Sequence, residues 1–179
     1  CFWTIKFKKN SEIIIQLGLP EEKKLSLFKE NHLIPIINTE EDLELVTLSK
    51  INFGIHIDTG INRLGIDYKN IPKYIFDNKN ICLVMSHLAS ADEIKNQYNQ
   101  IQRDRFKNII KKFKSKSIIY SLANSGGSVL SKSFLFDMIR PGIGLYGGNN
   151  NNKLLSKKIT PVIKLSGKII QIKTINKNQ

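Results

Sequence analysis

The 179-residue sequence predicts an α/β fold with a parallel sheet, on two observations. Short apolar runs rich in Ile and Val alternate with longer amphipathic stretches, which is typical of parallel strands joined by helical crossovers. Polar segments rich in Gly, Asn, Asp and Ser follow several of these runs directly. In parallel α/β proteins ligands bind beyond the carboxyl ends of the strands, whether the sheet is closed or open. Periodicity alone does not choose between a (β/α)8 barrel and a doubly wound sheet.

Seven apolar runs are predicted strands, because each is short, contains β-branched residues and is bounded by polar or turn-forming residues. In chain order they are Ile13–Leu17, Leu33–Ile37, Phe53–Ile57, Ile81–Ser86, Ile118–Leu122, Met138–Ile139 and Val162–Ile172. Most gaps between them have room for one helix and a loop, as a βαβ arrangement requires.

Four helices are predicted between the strands, and the clearest runs from Glu93 to Phe113 with Asp92 as its N-cap. Apolar residues recur there at helical spacing, which predicts one buried stripe. The predicted stripe is Ile94, Tyr98, Ile101, Phe106, Ile109, Ile110 and Phe113. The remaining predicted helices are Glu21–Lys29, Glu41–Leu48 and Ile71–Phe76, the last with Pro72 in its first turn, where proline is tolerated.

Composition restricts the classes of function. The formal charge is +13, but the 28 basic residues are scattered along the chain and nearly all are lysines, which disfavours a nucleic-acid interface. No apolar run reaches the roughly 18 residues of a membrane span. Cys1 and Cys82 have neither metal-site nor redox spacing, so no metal site is expected. Nothing indicates an oxidising compartment, and the cytoplasm is the expected location.

The segment from Arg140 to Gly147 is the most informative in the chain, since Pro141 and three glycines follow an arginine at the end of an apolar run. Glycines allow backbone N–H groups to approach a ligand closely, and clustered N–H groups suit a phosphate. A guanidinium adds a permanent planar charge beside them. A strand followed by a glycine-rich turn is the plainer interpretation of this segment taken alone.

Three further polar segments end apolar runs: Asp58-Thr59-Gly60 with Arg63-Leu64-Gly65, His87-Leu88-Ala89-Ser90-Ala91-Asp92-Glu93, and Ala123-Asn124-Ser125. Together with Arg140-Pro141-Gly142-Ile143, their order and spacing resemble the barrel domain of the alanine racemases, which are fold-type III pyridoxal-phosphate enzymes. The resemblance extends from about Ile13 to about Ile175 and favours a partial (β/α)8 barrel, about strands 3 to 8. It implies an incomplete barrel over residues 1–160 and, over 161–179, a final strand leading into the family's C-terminal β-domain.

The resemblance also implies roles for individual residues. Arg140 would face the ring nitrogen of pyridoxal 5'-phosphate and leave it unprotonated, while His87 would lie against the ring. The residues implied to hold the cofactor are His87, Asn124, Ser125, Arg140, Gly142 and Ile143, the last two through their backbone. Arg63 would lie beside the phenolic oxygen of the cofactor and the carboxylate of the substrate, alanine. The family often has a lysine that can be carbamylated where this sequence has His56, which is not expected to carry a carbamate.

Two catalytic groups of the family have no match in this sequence. The Schiff-base lysine lies in a K-A-x-A-Y-G segment, which is absent here. The opposing tyrosine belongs to the family's C-terminal domain and comes from the partner subunit of a homodimer. The sequence therefore predicts a portion of an enzyme that makes D-alanine for peptidoglycan, and predicts that this chain alone is inactive. A non-catalytic, decayed remnant and, less favoured, a basic nucleic-acid-binding module remain as alternatives.

Overall fold

The computed structural model describes residues 11–19, 25–148 and 159–177. Its centre is a curled sheet of parallel strands that forms part of a barrel. The strands are β1 (Ile13–Ile15), β2 (Leu33–Ile37), β3 (Phe53–Asp58), β4 (Ile66–Asp67), β5 (Ile81–Met85) and β6 (Ile119–Ser121). Their spatial order is β1-β2-β3-β5-β6, with the short β4 paired to β3, and every pair is parallel.

Helices join most of the strands, as the alternation of the sequence predicts. They are α1 (Leu25–Glu30), α2 (Glu40–Ser49) and α3 (Tyr98–Ile110), with a 3₁₀ turn at Lys73–Asp77 near the predicted helix Ile71–Phe76. The first part of the predicted helix Glu21–Lys29 lies outside the described residues. Thr39 starts α2 because its hydroxyl accepts a hydrogen bond from the Asp42 N–H at 3.1 Å.

The sheet has a large apolar core on one face and a smaller apolar cluster on the other. Phe53, Ile55 and Ile57 of β3 are fully buried on the face that α2 and α3 cover. Residues between them face the barrel interior, because side chains alternate along a strand. Gly54 shows how tightly that interior is packed: a Cβ there would lie 2.5 Å from Ile36 Cδ1 and 3.2 Å from Leu83. Asp58 ends β3 at the carboxyl edge of the sheet, where the polar segments gather.

Helix α3 is shorter than predicted, and its predicted apolar stripe is buried at Phe106, Ile109 and Phe113 but not throughout. It begins at Tyr98 instead of Glu93, and Asp92 is not its N-cap; the cap position is Gln97, which makes no side-chain capping bond. Ile94 and Ile101, predicted to be buried, are each nearly half exposed, whereas Asn99 and Gln102 are buried beside Phe106 and Ile109. The Gln102 amide and the Asn99 amide nitrogen are tolerated there because they form hydrogen bonds to backbone groups of the strand-end loops, whereas Asn99 Oδ1 has no partner among the described residues.

Two predicted strands differ from the structure. Met138–Ile139 does not form a strand, and the chain instead makes one parallel bridge between Arg140 and Asn124. Residues 159–177 contain neither strand nor helix, so Val162–Ile172 is not the predicted strand. A strand requires a neighbour for its N–H and C=O groups, and no described strand lies beside this segment. Within residues 11–19, 25–148 and 159–177, none of the helices has both the length and the apolar composition of a membrane span.

Candidate functional site at the carboxyl ends of the strands

Arg140 lies where β5 and β6 end, and it joins the two. Its backbone N–H donates to the Ala123 carbonyl at 2.9 Å, which places the residue beside the end of β6. Its guanidinium donates to the Ser121 hydroxyl and to the Ser86 carbonyl. Burial lowers the pKa of Arg140 to about 10, so the guanidinium stays charged at neutral pH. The arginine is therefore a fixed, largely buried positive charge at the mouth of the sheet.

His87 follows β5 directly and contacts the segment after β6. Its Nε2 lies 3.3 Å from Nδ2 of Asn124, whose Oδ1 accepts the Gly127 N–H at 2.8 Å. Because Oδ1 is an acceptor there, Nδ2 is the donor to His87, and the imidazole carries its proton on Nδ1. Burial, followed by the charges of Arg140 and Arg63, lowers the pKa of His87 to about 4. The ring is thus neutral at pH 7.

Ser125 connects the segment after β6 with the glycine-rich turn that follows Arg140. Its hydroxyl oxygen accepts the N–H of Gly142 at 2.9 Å and that of Gly144 at 3.1 Å, and the residue is only 6% exposed. Apart from its two chain neighbours, no described residue has an atom within 4 Å of the position that a Cβ on Gly142 would take. The turn therefore holds the Gly142 and Gly144 N–H groups on the Ser125 hydroxyl, whose own proton remains available beside this open space. A small anion could accept that proton there.

Arg63 lies on the loop after β3 and is exposed. The start of that loop is fixed by Asp58, whose Oδ1 accepts the N–H groups of Gly60, Ile61 and Asn62 at 2.7, 2.9 and 3.3 Å. Asn62 has φ 55°, a left-handed conformation that asparagine adopts more readily than most residues. Among the described residues Arg63 forms neither a hydrogen bond nor an ion pair, although its charge lowers the pKa of both His56 and His87.

His56 lies inside the barrel below this loop and is 4% exposed. Its Nδ1 is 3.0 Å from Oδ1 of Asn38, whose amide nitrogen donates to the carbonyls of Gln16 and Ile36. Nδ1 is therefore the protonated nitrogen, and Nε2 is a buried acceptor without a partner among the described residues. Burial and the charge of Arg140 lower the pKa of His56 to about 4. The His56 ring is therefore neutral at pH 7, because a second positive charge near Arg140 and Arg63 would be unfavourable.

The structure gathers the predicted site residues along one edge of the sheet. His87 contacts Asn124, Ser125 contacts the Gly142 backbone, and Arg140 binds the carbonyl that precedes His87. Ile143 begins a short 3₁₀ turn next to Gly142, with its side chain about half exposed. Arg63 is near enough for its charge to act on both histidines but hydrogen-bonds to neither. No group of three or more potential metal ligands occurs in the described part of the chain.

The buried polar residues that support this edge were not among the predicted site residues. Thr59 and Ser86 are 0% exposed and their hydroxyl oxygens lie 2.7 Å apart. Ser121 Oγ donates to the Met138 carbonyl at 2.7 Å, and Gln102 reaches the edge from α3. Small hydroxyl residues at the ends of apolar runs were visible in the sequence. Gln102 gave no comparable signal, because a polar residue on an amphipathic helix normally faces solvent.

Taken together, the fold and this cluster define an α/β-barrel protein whose polar site lies at the carboxyl ends of its strands. The sequence matches the family "Alanine racemase, N-terminal domain" over residues 6–150, and the chain belongs to that family. It is 36% identical over 159 residues to the alanine racemase of Rhizobium meliloti, covering 83% of this chain and 41% of that protein. With the alanine racemase of Rickettsia canadensis it is 36% identical over 171 residues, covering 86% and 45% respectively.

A comparison with a solved structure also matches this chain to an alanine racemase. The alanine racemase of Bartonella henselae, determined with covalently bound pyridoxal phosphate, superposes with a TM-score of 0.74 at 29% identity. The match covers 84% of this chain and 46% of that one. The chain therefore spans less than half the length of each of these relatives. The resemblance found in the sequence is confirmed, and so is the prediction of a partial α/β barrel.

Proposed function

We propose that this chain forms the cofactor side of a pyridoxal-phosphate-dependent alanine racemase, which interconverts L- and D-alanine for peptidoglycan. The observation that carries the proposal is the convergence of Arg140, His87, Ser125 and the Gly142 backbone on one edge of the sheet. Membership of the family and the pyridoxal phosphate bound covalently to the Bartonella enzyme supply the identity of the ligand. Bound there, the cofactor would act as the electron sink that makes the α-proton of alanine removable.

Each predicted residue has a task in this proposal. Ser125, with the backbone of Gly142 and Ile143, would hold the phosphate in the open space in front of Gly142, where the Gly142 N–H would be shared between the phosphate and the Ser125 hydroxyl that it now contacts. Arg140, buried and charged, donates a hydrogen bond to the ring nitrogen, which keeps that nitrogen free of a proton. His87, which Asn124 orients, lies against the ring as a neutral group.

Arg63 is the substrate-binding residue of the proposal. It is exposed at the mouth of the barrel, and its planar fork of donors suits the carboxylate of alanine. His56 occupies the position of the family's modifiable lysine and is neutral, so it gives Arg63 no negative partner. We further propose that this chain alone does not racemise alanine, because it contains no K-A-x-A-Y-G segment, and that the working enzyme is a cytoplasmic homodimer.

The proposal is tested by titrating the 179-residue chain with pyridoxal phosphate and measuring bound ligand by equilibrium dialysis. Gly142→Ala is the diagnostic variant: beyond its chain neighbours its Cβ meets no atom of the described residues, but it would occupy the space assigned to the phosphate. We expect the dissociation constant to rise about tenfold, which corresponds to about 1.4 kcal/mol. Gly167→Ala is the matched control, because a Cβ there also meets nothing and the residue is exposed far from the site in sequence.

Three outcomes separate the alternatives. Saturable binding that weakens in Gly142→Ala and not in Gly167→Ala supports the proposal. Binding that is equal in all three proteins contradicts the phosphate site. Absence of binding by a folded chain contradicts the proposed function and favours a non-catalytic remnant. Racemisation of alanine by the chain alone would contradict the proposal that it is inactive by itself.

A further inference from the structure

We propose that Gln102 of α3 is a positioning residue that fixes the Asp58-Thr59-Gly60 loop against the strand end carrying His87. The proposal rests on the proposed function, because these two segments hold Arg63 and the ring-facing histidine of that site. Gln102 does not contact the open space in front of Gly142 by any described bond. It acts through the residues that it holds.

The three hydrogen bonds of the Gln102 amide reach both segments. Its Nε2 donates to the His87 carbonyl at 3.0 Å and to Thr59 Oγ1 at 3.2 Å, and its Oε1 accepts the Ala89 N–H at 2.8 Å. The side chain is 0% exposed, so water does not replace any of these bonds. A primary amide is the neutral side-chain group that offers two donors and an acceptor from one planar group.

Further hydrogen bonds connect Thr59, by way of Ser86, with Arg140. Since Thr59 Oγ1 accepts from Gln102, its own proton can go to Ser86 Oγ, 2.7 Å away. The Ser86 carbonyl in turn accepts from the Arg140 guanidinium. One helix residue is therefore linked to the arginine assigned to the ring nitrogen through the Thr59 hydroxyl and through Ser86, whose hydroxyl meets Thr59 and whose backbone carbonyl meets Arg140. Buried polar chains of this kind hold one arrangement, because any lost bond leaves a buried group unsatisfied.

Two neighbours on the same face of α3 brace the same loop. The Tyr98 hydroxyl donates to the Gly60 carbonyl at 3.0 Å, and Arg105 Nη1 donates to the Thr59 carbonyl at 2.8 Å. Tyr98, Gln102 and Arg105 are four and three residues apart, which places them on one side of a helix. Gly60, with φ 135°, leaves no room for a side chain against Tyr98. Of the three braces, Gln102 alone also holds the His87 strand end.

The test compares Gln102→Met with Gln100→Met, an exposed glutamine on the same helix, in the 179-residue chain. Pyridoxal phosphate affinity is measured by equilibrium dialysis, and the His87 ring is followed by NMR through a pH titration. In Gln102→Met we expect the dissociation constant to rise about tenfold. We also expect the His87 midpoint to move up toward the ordinary value for histidine, because the loosened strand end admits water. Gln100→Met should change neither quantity.

The outcomes distinguish this proposal from the proposed function. If the unsubstituted chain does not bind pyridoxal phosphate, the proposed function fails, and the His87 titration still decides the role of Gln102. An unchanged His87 midpoint and an affinity within twofold of the parent in a folded Gln102→Met chain would overturn the proposal. If Gln102→Met does not fold, Gln102→Glu serves instead, since it keeps the volume and the acceptor for the Ala89 N–H but loses both donors. Because a carboxylate would raise the His87 midpoint by its charge alone, the affinity decides for that variant, and a dissociation constant within twofold of the parent is the overturning result.

Discussion

Two segments predicted as strands, Ile81–Ser86 and Val162–Ile172, lie in opposite environments. The first is a central strand between β3 and β6, with Ile81, Leu83 and Val84 at most 2% exposed. The second forms no strand, and Leu165 and Ile170 are 97% and 95% exposed. The difference shows that a β-branched, apolar pattern predicts what a strand needs on its faces. The pattern does not predict whether a second strand lies alongside to form the backbone hydrogen bonds.

The largest expected effect is a loss of stability when a side chain is removed from the core. The same kind of change in the exposed segment should have almost no effect. Phe106 of α3 is fully buried and packs edge-to-face on Phe136, with ring centroids 5.1 Å apart. Phe106→Ala should lower the free energy of unfolding by about 3–5 kcal/mol, because it removes a large side chain and leaves a cavity. Urea unfolding measures the change. Ile172→Ala, at an 82% exposed position, is the control and should change stability by less than about 0.5 kcal/mol. If both variants lost a similar free energy of unfolding, the segment around Ile172 would be as well packed as the core, contrary to this comparison.

The second expected effect is a loss of folding stability at low pH, caused by the buried His56 inside the barrel. The pKa of His56 is about 4 in the folded chain, below the ordinary value of 6.5, because burial and Arg140 disfavour its charged form. As the pH falls, the unfolded chain therefore takes up the proton first. The stability contributed by neutral His56 is complete above pH 6.5 and is lost toward pH 4, by up to about 3 kcal/mol.

Urea unfolding at several pH values between 7 and 4 checks this expectation. His56→Gln, which can still donate to Asn38, should flatten the decline, although His87 retains its own part of it. Lys168→Gln in the exposed segment is the control and should leave the profile unchanged. A His56→Gln profile as steep as that of the parent chain would show that His56 is not held neutral by burial.

A smaller effect is expected at the start of α2. The hydroxyl of Thr39 caps the helix by accepting the Asp42 N–H, so Thr39→Ala should lower the free energy of unfolding by about 1 kcal/mol. Thermal or urea unfolding detects such a change. Thr174→Ala, in the exposed segment without a helix to cap, is the control and should have no measurable effect. Equal stabilities of Thr39→Ala and the parent chain would mean that this cap is dispensable.

The smallest effect is expected in the exposed segment itself. Ile170→Lys places a charge where the isoleucine is 95% exposed, so the free energy of unfolding should change by less than about 0.5 kcal/mol. The circular dichroism spectrum should also be unchanged, because the segment contributes no strand. Val84→Lys, at a fully buried position of β5, is the opposite control and should prevent folding. A large loss in Ile170→Lys would show that this segment is buried in solution.

Much of the fold and the site was predictable because local signals and tertiary packing agree. The strand runs Leu33–Ile37 and Phe53–Ile57 coincide with observed strands to within a residue, since both are apolar segments that the sheet buries. The segments that carry His87, Asn124, Ser125 and Arg140 do meet at one edge, as parallel strands require. The roles of these residues toward a cofactor and of Arg63 toward a substrate remain predictions.

The failures have a common physical reason. The predicted stripe of α3 was right at Phe106, Ile109 and Phe113 and wrong at Ile94 and Ile101. Hydrophobic spacing also treats Gln102 as a surface residue, whereas the Thr59 hydroxyl and the His87 carbonyl, both on other segments, accept from its amide. The strand predicted over Val162–Ile172 was wrong because strand formation depends on a neighbouring strand. Both depend on parts of the molecule that are remote in sequence.

The sequence by itself determined the alternation of strands and helices, the family and the residues of the candidate site, since apolar periodicity and four ordered motifs are local properties of the chain. Only the tertiary structure decided that both site histidines are neutral, that Ser125 binds the glycine-rich turn, and that Gln102 joins two strand-end loops. Burial and hydrogen bonds between distant segments set those properties, and they exist only once the chain has folded.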